Sequence, residues 1–264
     1  MRREIWSARH KNSLYPDAIL DNTLVWSVMG DYDSPCYRPA QDVVIPARTC
    51  QSISLKEHFP TVEKVRPMRE RPNLMTWSGT YWGTGKSERL RLTCNRGGVG
   101  KKELIPGGGP QDNFAAWDYM NDLSNARFCP QPRGIAGMSP FPVYPSAELM
   151  LGWSPRVNDA LYAGCIPVLT AEGSHYPFAS FLDWSKFSVR IAPTEMDNIE
   201  QILSAIPLEK IEEMQANLVA VREAFVYATD ERPEEELERR GPMFFALHEA
   251  GLRLKTKYPT KAKA

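Results

Sequence analysis

Residues 153–169 read Trp-Ser-Pro-Arg-Val-Asn-Asp-Ala-Leu-Tyr-Ala-Gly-Cys-Ile-Pro-Val-Leu, and this stretch decides the fold. Ser154 suits a helix N-cap and Pro155 the first helical position. The helix is expected to run through Ala163 and to close at Gly164, a residue that takes a left-handed cap without steric cost. Residues 165–169 then form a short apolar run of the kind buried on both faces of a parallel sheet. Helix followed by buried strand is the repeating unit of an α/β sheet, and the alternation extends both ways along the chain.

Upstream, residues 22–29 read as a strand broken by Gly30 and Pro35, and residues 42–46 as a strand stopped by proline. Residues 74–79 read as a buried strand ending at a glycine, 86–93 as a short basic helix, 114–123 as a helix and 126–130 as an apolar strand. Downstream, residues 178–182 form a helical turn and 187–191 a strand. Apolar residues then recur at helical spacing over 197–228, with Pro207 splitting the run into two helices, and a charged helix spans about 242–255. The pattern predicts a Rossmann-like parallel sheet with helices on both faces. Ligands of such sheets gather outside the carboxyl ends of the strands.

Composition narrows the partners. The 264 residues carry 32 basic and 32 acidic side chains, a net charge of zero, so no global field draws the chain to nucleic acid or to an anionic membrane. No apolar run reaches the roughly 18 residues that span a bilayer, and the basic start, residues 1–6, lacks an apolar signal core. The five cysteines, Cys36, Cys50, Cys94, Cys129 and Cys165, show neither a CxxC pair nor zinc spacing. Disulfides remain open and so does the redox compartment. Gly107-Gly108-Gly109 is not a phosphate loop, since no Gly-Lys-Ser/Thr follows.

Arg156, at the start of the helix, marks the strongest local chemistry. First-turn amides and a guanidinium together suit a diphosphate. The other reading is a surface arginine paired with Asp159 one turn on. Asp31-Tyr32-Asp33 imitates a metal-binding Asp-x-Asp but sits in a Pro/Gly-flanked loop and is read as loop.

The 153–169 stretch resembles the signature of the exostosin family: Ser-x-Arg, Asp-Ala, then Gly-Cys-Ile-Pro-Val. Four further blocks resemble that family in order: CYRPAQDVVIP (36–46), RPNLMTWSGTYWGTGKSERLRL (71–92), SNARFCPQPRG (124–134) and YPFASFLDWSKFSVRI (176–191). The resemblance implies a glycosyltransferase of the two-lobed GT-B type, of which this chain matches the C-terminal, donor-holding lobe. It implies a nucleotide-sugar donor, UDP-linked, a glycan or glycoprotein acceptor, and no bound metal or cofactor. Arg156 would neutralise the diphosphate as UDP leaves, with Ser154 and Asp159 beside it.

Ser78, Gly79 and Arg89 would lie on a facing loop, Arg89 as a second phosphate group or as a solvated helix charge. Glu172 would be the catalytic carboxylate or a donor-sugar contact, against an ordinary exposed loop carboxylate. His175 would be a donor hydrogen-bonding group or an unremarkable loop histidine. Cys165 reads as a small buried core residue, and Asp183 and Trp184 as fixing the turn before the next strand. Full-length members implied by the resemblance are Golgi proteins facing the lumen.

Three segments are expected: residues 1–38 as a remnant of the N-terminal lobe and linker, 39–232 as the nucleotide-sugar domain, and 233–264 as a charged helix and tail. Residues 135–152 read as an inserted Pro-rich loop beside the donor site. The few residues before 39 raise the alternative of a non-catalytic nucleotide-sugar-binding remnant.

Overall fold

A computed structural model describes residues 23–27, 30–31, 38–46, 56–77, 116–132, 156–170, 174–227 and 240–257. Its centre is a four-stranded sheet of β4 (Asn73–Met75), β5 (Ala126–Gln131), β6 (Ile166–Leu169) and β8 (Val189–Arg190), in that spatial order and parallel throughout. Helix α1 (Ala116–Asn125) leads into β5, and α2 (Arg156–Tyr162) connects β5 to β6. After β8 come α3 (Ile199–Ser204) and α4 (Leu208–Val221), separated at Pro207 as its missing N–H requires. The expected α/β architecture is present: a Rossmann-like parallel sheet with helices packed around it.

The central strand β6 is buried along its whole length, and the core divides into two clusters. One gathers Met75, Phe128, Ile166 and Val168 with Leu161 and the α3–α4 side chains. The other gathers Tyr119, Met120, Leu123, Cys129, Ala160 and Cys165. Apolar contact on two sides explains why β6 is a continuous apolar run with no alternation.

Two prolines stand inside central strands, Pro130 in β5 and Pro167 in β6. Register explains how the ladder tolerates them. Thr76 N–H donates to the Phe128 carbonyl, so Phe128 and Pro130 both face β4, whose pairing ends at Met75. Ile191 N–H donates to the Leu169 carbonyl, so Pro167 faces β8 just before its pairing begins at Val189. Each missing donor therefore falls where a neighbouring strand has stopped or has not started.

The turn from α2 into β6 is a Schellman cap. Cys165 N–H donates to Ala160 O at 2.9 Å and Gly164 N–H to Leu161 O at 3.2 Å, with Gly164 at φ 71°. Next to it, the buried Arg71 donates to four carbonyls: Arg66, Leu123, Ala126 and Ala163, all at 2.7–2.9 Å. Leu123 and Ala163 end α1 and α2, so one guanidinium occupies the negative ends of both helices. Burial and the neighbouring Arg66 bring the Arg71 pKa down to about 9, which still leaves it charged near neutrality.

Residues 129 and 165 carry a disulfide, with Cα atoms 5.9 Å apart. The reading of Cys165 as a simple buried core residue is thereby corrected: it is fully buried, and it is bonded. Sequence spacing gave no hint of a pair 36 residues apart. Because Cys165 sits in the Schellman turn, the bond ties the end of α2 to the middle of β5. Replacing Cys129 and Cys165 together by alanine is expected to cost roughly 3 kcal/mol of stability, chiefly through release of the unfolded chain. Urea denaturation of oxidised wild type against the double variant measures it.

Two small sheets flank the centre. β1 (Trp26–Ser27) pairs parallel with β3 (Val43–Val44). β2 (Gly30–Asp31) pairs antiparallel with β7 (Ser174–His175). Gly30 is thus a strand residue and not the breaker expected at that position, because it pairs with His175, 145 positions away. The last described helix, α5 (Pro242–Lys257), packs on this region, with Arg253 donating to Pro39 O at 2.7 Å. The segments on either side of the 39–232 stretch are therefore hydrogen-bonded into it. The basic helix expected at 86–93, the insertion expected at 135–152 and residues 258–264 of the expected tail lie outside the described residues.

Candidate functional site at the carboxyl edge of the sheet

Helix α2 ends directly at β6, so its first residue points to the opposite edge, where the carboxyl ends of β4, β5 and β6 emerge. Arg156 is that first residue and is half-buried. A cation at a helix N-terminus opposes the helix dipole by about 0.3–1 kcal/mol, so helix stability does not account for it. Asp159 lies one turn on and is 2% exposed. Its carboxylate accepts the Tyr119 hydroxyl at 3.0 Å, from α1. Burial, and then the Asp159 charge, push the Tyr119 pKa well above its ordinary value, while the Arg156 charge acts the other way. Tyr119 consequently stays protonated and able to donate. The structure thus brings Arg156, Asp159 and Tyr119 into one electrostatic group spanning two helices.

Nearby polar groups occupy the same edge. Gln131 ends β5 and donates from Nε2 to Cys129 O at 3.1 Å, and Thr170, just past β6, donates to Gln131 O at 3.3 Å. The hydroxyls of Thr76, just past β4, and Ser174, in β7, are buried without a hydrogen-bond partner among the described residues. Such orphans each cost roughly 1–3 kcal/mol relative to a paired group and call for an explanation.

His175 is half-buried in β7 opposite Gly30, and Asp31 of the Asp-x-Asp imitation lies opposite Ser174. Ser78, Gly79, Arg89, Ser154 and Glu172 lie outside the described residues. Ser78 and Gly79 follow β4 in sequence, and Glu172 follows β6. Asp183 and Trp184 do fix the turn before β8: Asp183 accepts from Ser185 N–H at 3.1 Å and Trp184 Nε1 donates to Pro177 O at 3.0 Å.

Tyr119, Thr76 and Ser174 were missed by the sequence reading. Tyr119 sits 40 residues from its partner in an ordinary amphipathic helix, and single hydroxyls in apolar runs carry no local signature.

A description of the exostosin GT47 domain matches residues 1–206. The chain belongs to the exostosin GT47 family. Among its exostosin relatives, a probable glycosyltransferase of Arabidopsis thaliana is 33% identical over 207 residues, 78% of this chain and 38% of that protein. A probable glucuronosyltransferase of rice is 31% identical over 117 residues, covering 44% of this chain and 24% of the relative. Bovine exostosin-2 is 36% identical over 100 residues, 38% of this chain and 12% of its own length. The chain therefore matches well under half the length of these curated exostosin relatives.

Proposed function

We propose that this chain holds the nucleotide-sugar donor of a GT-B glycosyltransferase, a UDP-sugar whose glycosyl group passes to a glycan or glycoprotein acceptor. The observation that carries this reading is Arg156 on the first residue of α2, at the carboxyl edge of a parallel sheet. Developing charge on a departing diphosphate is stabilised by a guanidinium and by first-turn amides. Tyr119 and Asp159 support it by fixing the first turn from α1. Relatives described as glycosyltransferase, glucuronosyltransferase and xylosyltransferase agree with the reaction class.

Within this reading Ser154, Ser78, Gly79, Arg89 and His175 are further donor contacts, and Glu172 is the catalytic carboxylate. No metal or other cofactor takes part, as the phosphate charge is met by arginine and backbone dipoles. The Golgi lumen is the proposed compartment. The Cys129–Cys165 disulfide supports it, because disulfides persist in oxidising compartments. Among the described residues no helix is long and apolar enough to cross a membrane.

Arg156→Ala is expected to weaken UDP binding by roughly 1.5–3 kcal/mol, the loss of a charged hydrogen bond. Calorimetric titration of folded protein checks this, and unchanged affinity would remove the phosphate role. Turnover of a UDP-sugar panel then separates catalysis from binding alone.

A further inference from the structure

An open groove of about 470 Å³ lies beside the carboxyl end of β8, lined by residues 179–185 and Arg190. Its volume falls in the range of small-ligand sites, about 300–1,000 Å³. Arg190 is the last residue of β8 and stands opposite Leu169, the last residue of β6. The groove therefore adjoins the sheet edge where β6 and β8 end. Neither the sequence motifs nor the family match gives Arg190 a role.

Arg190 is exposed, and among the described residues no carboxylate pairs with it. It is nonetheless held. Its guanidinium lies 5.6 Å from the centroid of the Tyr176 ring, a cation–π contact. Tyr176 is itself buried against Trp184, ring centroids 4.7 Å apart, and Trp184 packs edge-on against Phe225. A planar cation seated on a fixed aromatic stack keeps its forked donors oriented, the geometry that suits a bidentate oxyanion.

The rest of the groove suits a hydroxyl-bearing ligand. Asp183 spends one carboxylate oxygen, Oδ1, on Ser185 N–H and Oγ, at 3.1 and 2.6 Å. Its Oδ2 makes no hydrogen bond among the described residues. The Ser185 hydroxyl bond holds the Asp183 carboxyl below its ordinary pKa, so Asp183 is ionised and can accept from a ligand hydroxyl. Phe181, half-buried, supplies an apolar wall.

We propose that Arg190 and this groove form an oxyanion-binding subsite of the carboxyl-edge site, taking either a phosphate of the donor or an acidic group of the acceptor. The ligand class rests on the glycosyltransferase reading. The oriented guanidinium and the groove stand on the structure alone.

The test uses the full chain with Arg190→Ala and Arg190→Lys. Arg190 is exposed, so both variants should keep the wild-type melting temperature. Two probes are titrated: UDP by calorimetry, and methyl glucuronoside against methyl glucoside by ligand-observed NMR. Loss of about tenfold in UDP affinity in Arg190→Ala, with partial retention in Arg190→Lys and a shallower salt dependence, assigns the subsite to the donor phosphate. Unchanged UDP affinity with about tenfold weaker glucuronoside binding, the glucoside being unaffected, assigns it to the acceptor. Both affinities unchanged in Arg190→Ala, or no binding of either probe to wild type, overturns the proposal. Wild-type protein that ignores UDP but binds glucuronoside through Arg190 would sink the donor reading and sustain the subsite.

Discussion

Arg71→Ala is expected to lower the unfolding free energy by about 5 kcal/mol, the largest single effect outside catalysis. Four carbonyls lose a donor at once, those of Arg66, Leu123, Ala126 and Ala163, of which Arg66 O still accepts from Gln215 Nε2, and the side chain is 1% exposed, so water does not replace it. Each buried acceptor left unpaired costs about 1–3 kcal/mol, and the volume of the stem adds a cavity. The contributions are not additive, which holds the sum near the stated figure. Arg71→Met separates the two causes: it keeps most of the stem and removes every donor, and should still cost about 3 kcal/mol. Arg71→Lys offers one point charge in place of a fork and cannot reach four acceptors spread over a loop, α1, β5 and the end of α2. Urea midpoints measure all three. A methionine variant within 1 kcal/mol of wild type would show that the carbonyl cage contributes little.

Gly164→Ala is expected to destabilise by about 4 kcal/mol, far more than a surface Gly→Ala change. Two causes combine. At φ 71° any side chain is strained, at about 1–3 kcal/mol. The added Cβ would also lie 2.2 Å from Val65 Cγ1, with Arg71 Nη2 at 3.2 Å and Gln215 Nε2 at 3.3 Å. Val65 is branched and buried and has little room to turn away. Pairing the change with Val65→Ala removes the clash and leaves the backbone strain, so the double variant should recover part of the loss relative to the sum of the singles. Additive losses in that double-mutant cycle would refute the clash. Because Gly164 fixes where α2 stops, both variants also report on Arg156: UDP affinity should fall further than the population of folded protein explains.

Local pattern made the sheet legible. The apolar run at 165–169 and the Ser-Pro start with a glycine end placed β6 and α2 within a residue or two of their observed limits. Pro207 divided the later helices where expected. What escaped was whatever depends on distant partners. Arg71 looks like any other arginine in an Arg-rich stretch, and its three most distant carbonyls are 52, 55 and 92 positions away. The β2–β7 ladder is two residues long on each side, too short for periodicity to register. Pro130 and Pro167 argue locally against central strands, and only the register of β4 and β8 shows why they are tolerated. In the candidate site, the proximity of Arg156 and Asp159 was legible because helix spacing joins them. The Tyr119 and Arg190 contacts were not, since they come from α1 packing on α2 and from the Tyr176 ring.

The Cys129–Cys165 bond has one more consequence. It turns the β5–β6 crossover into a covalent ring that encloses residues 133–155. Lengthening an open loop penalises only the folded state, by about 0.6 kcal/mol per doubling. In a ring, the ends are already joined before folding, so added residues burden both states almost alike. The oxidised protein can therefore absorb sequence of very different lengths between β5 and α2 while α2 keeps its seat, leaving this stretch of sequence free to diversify.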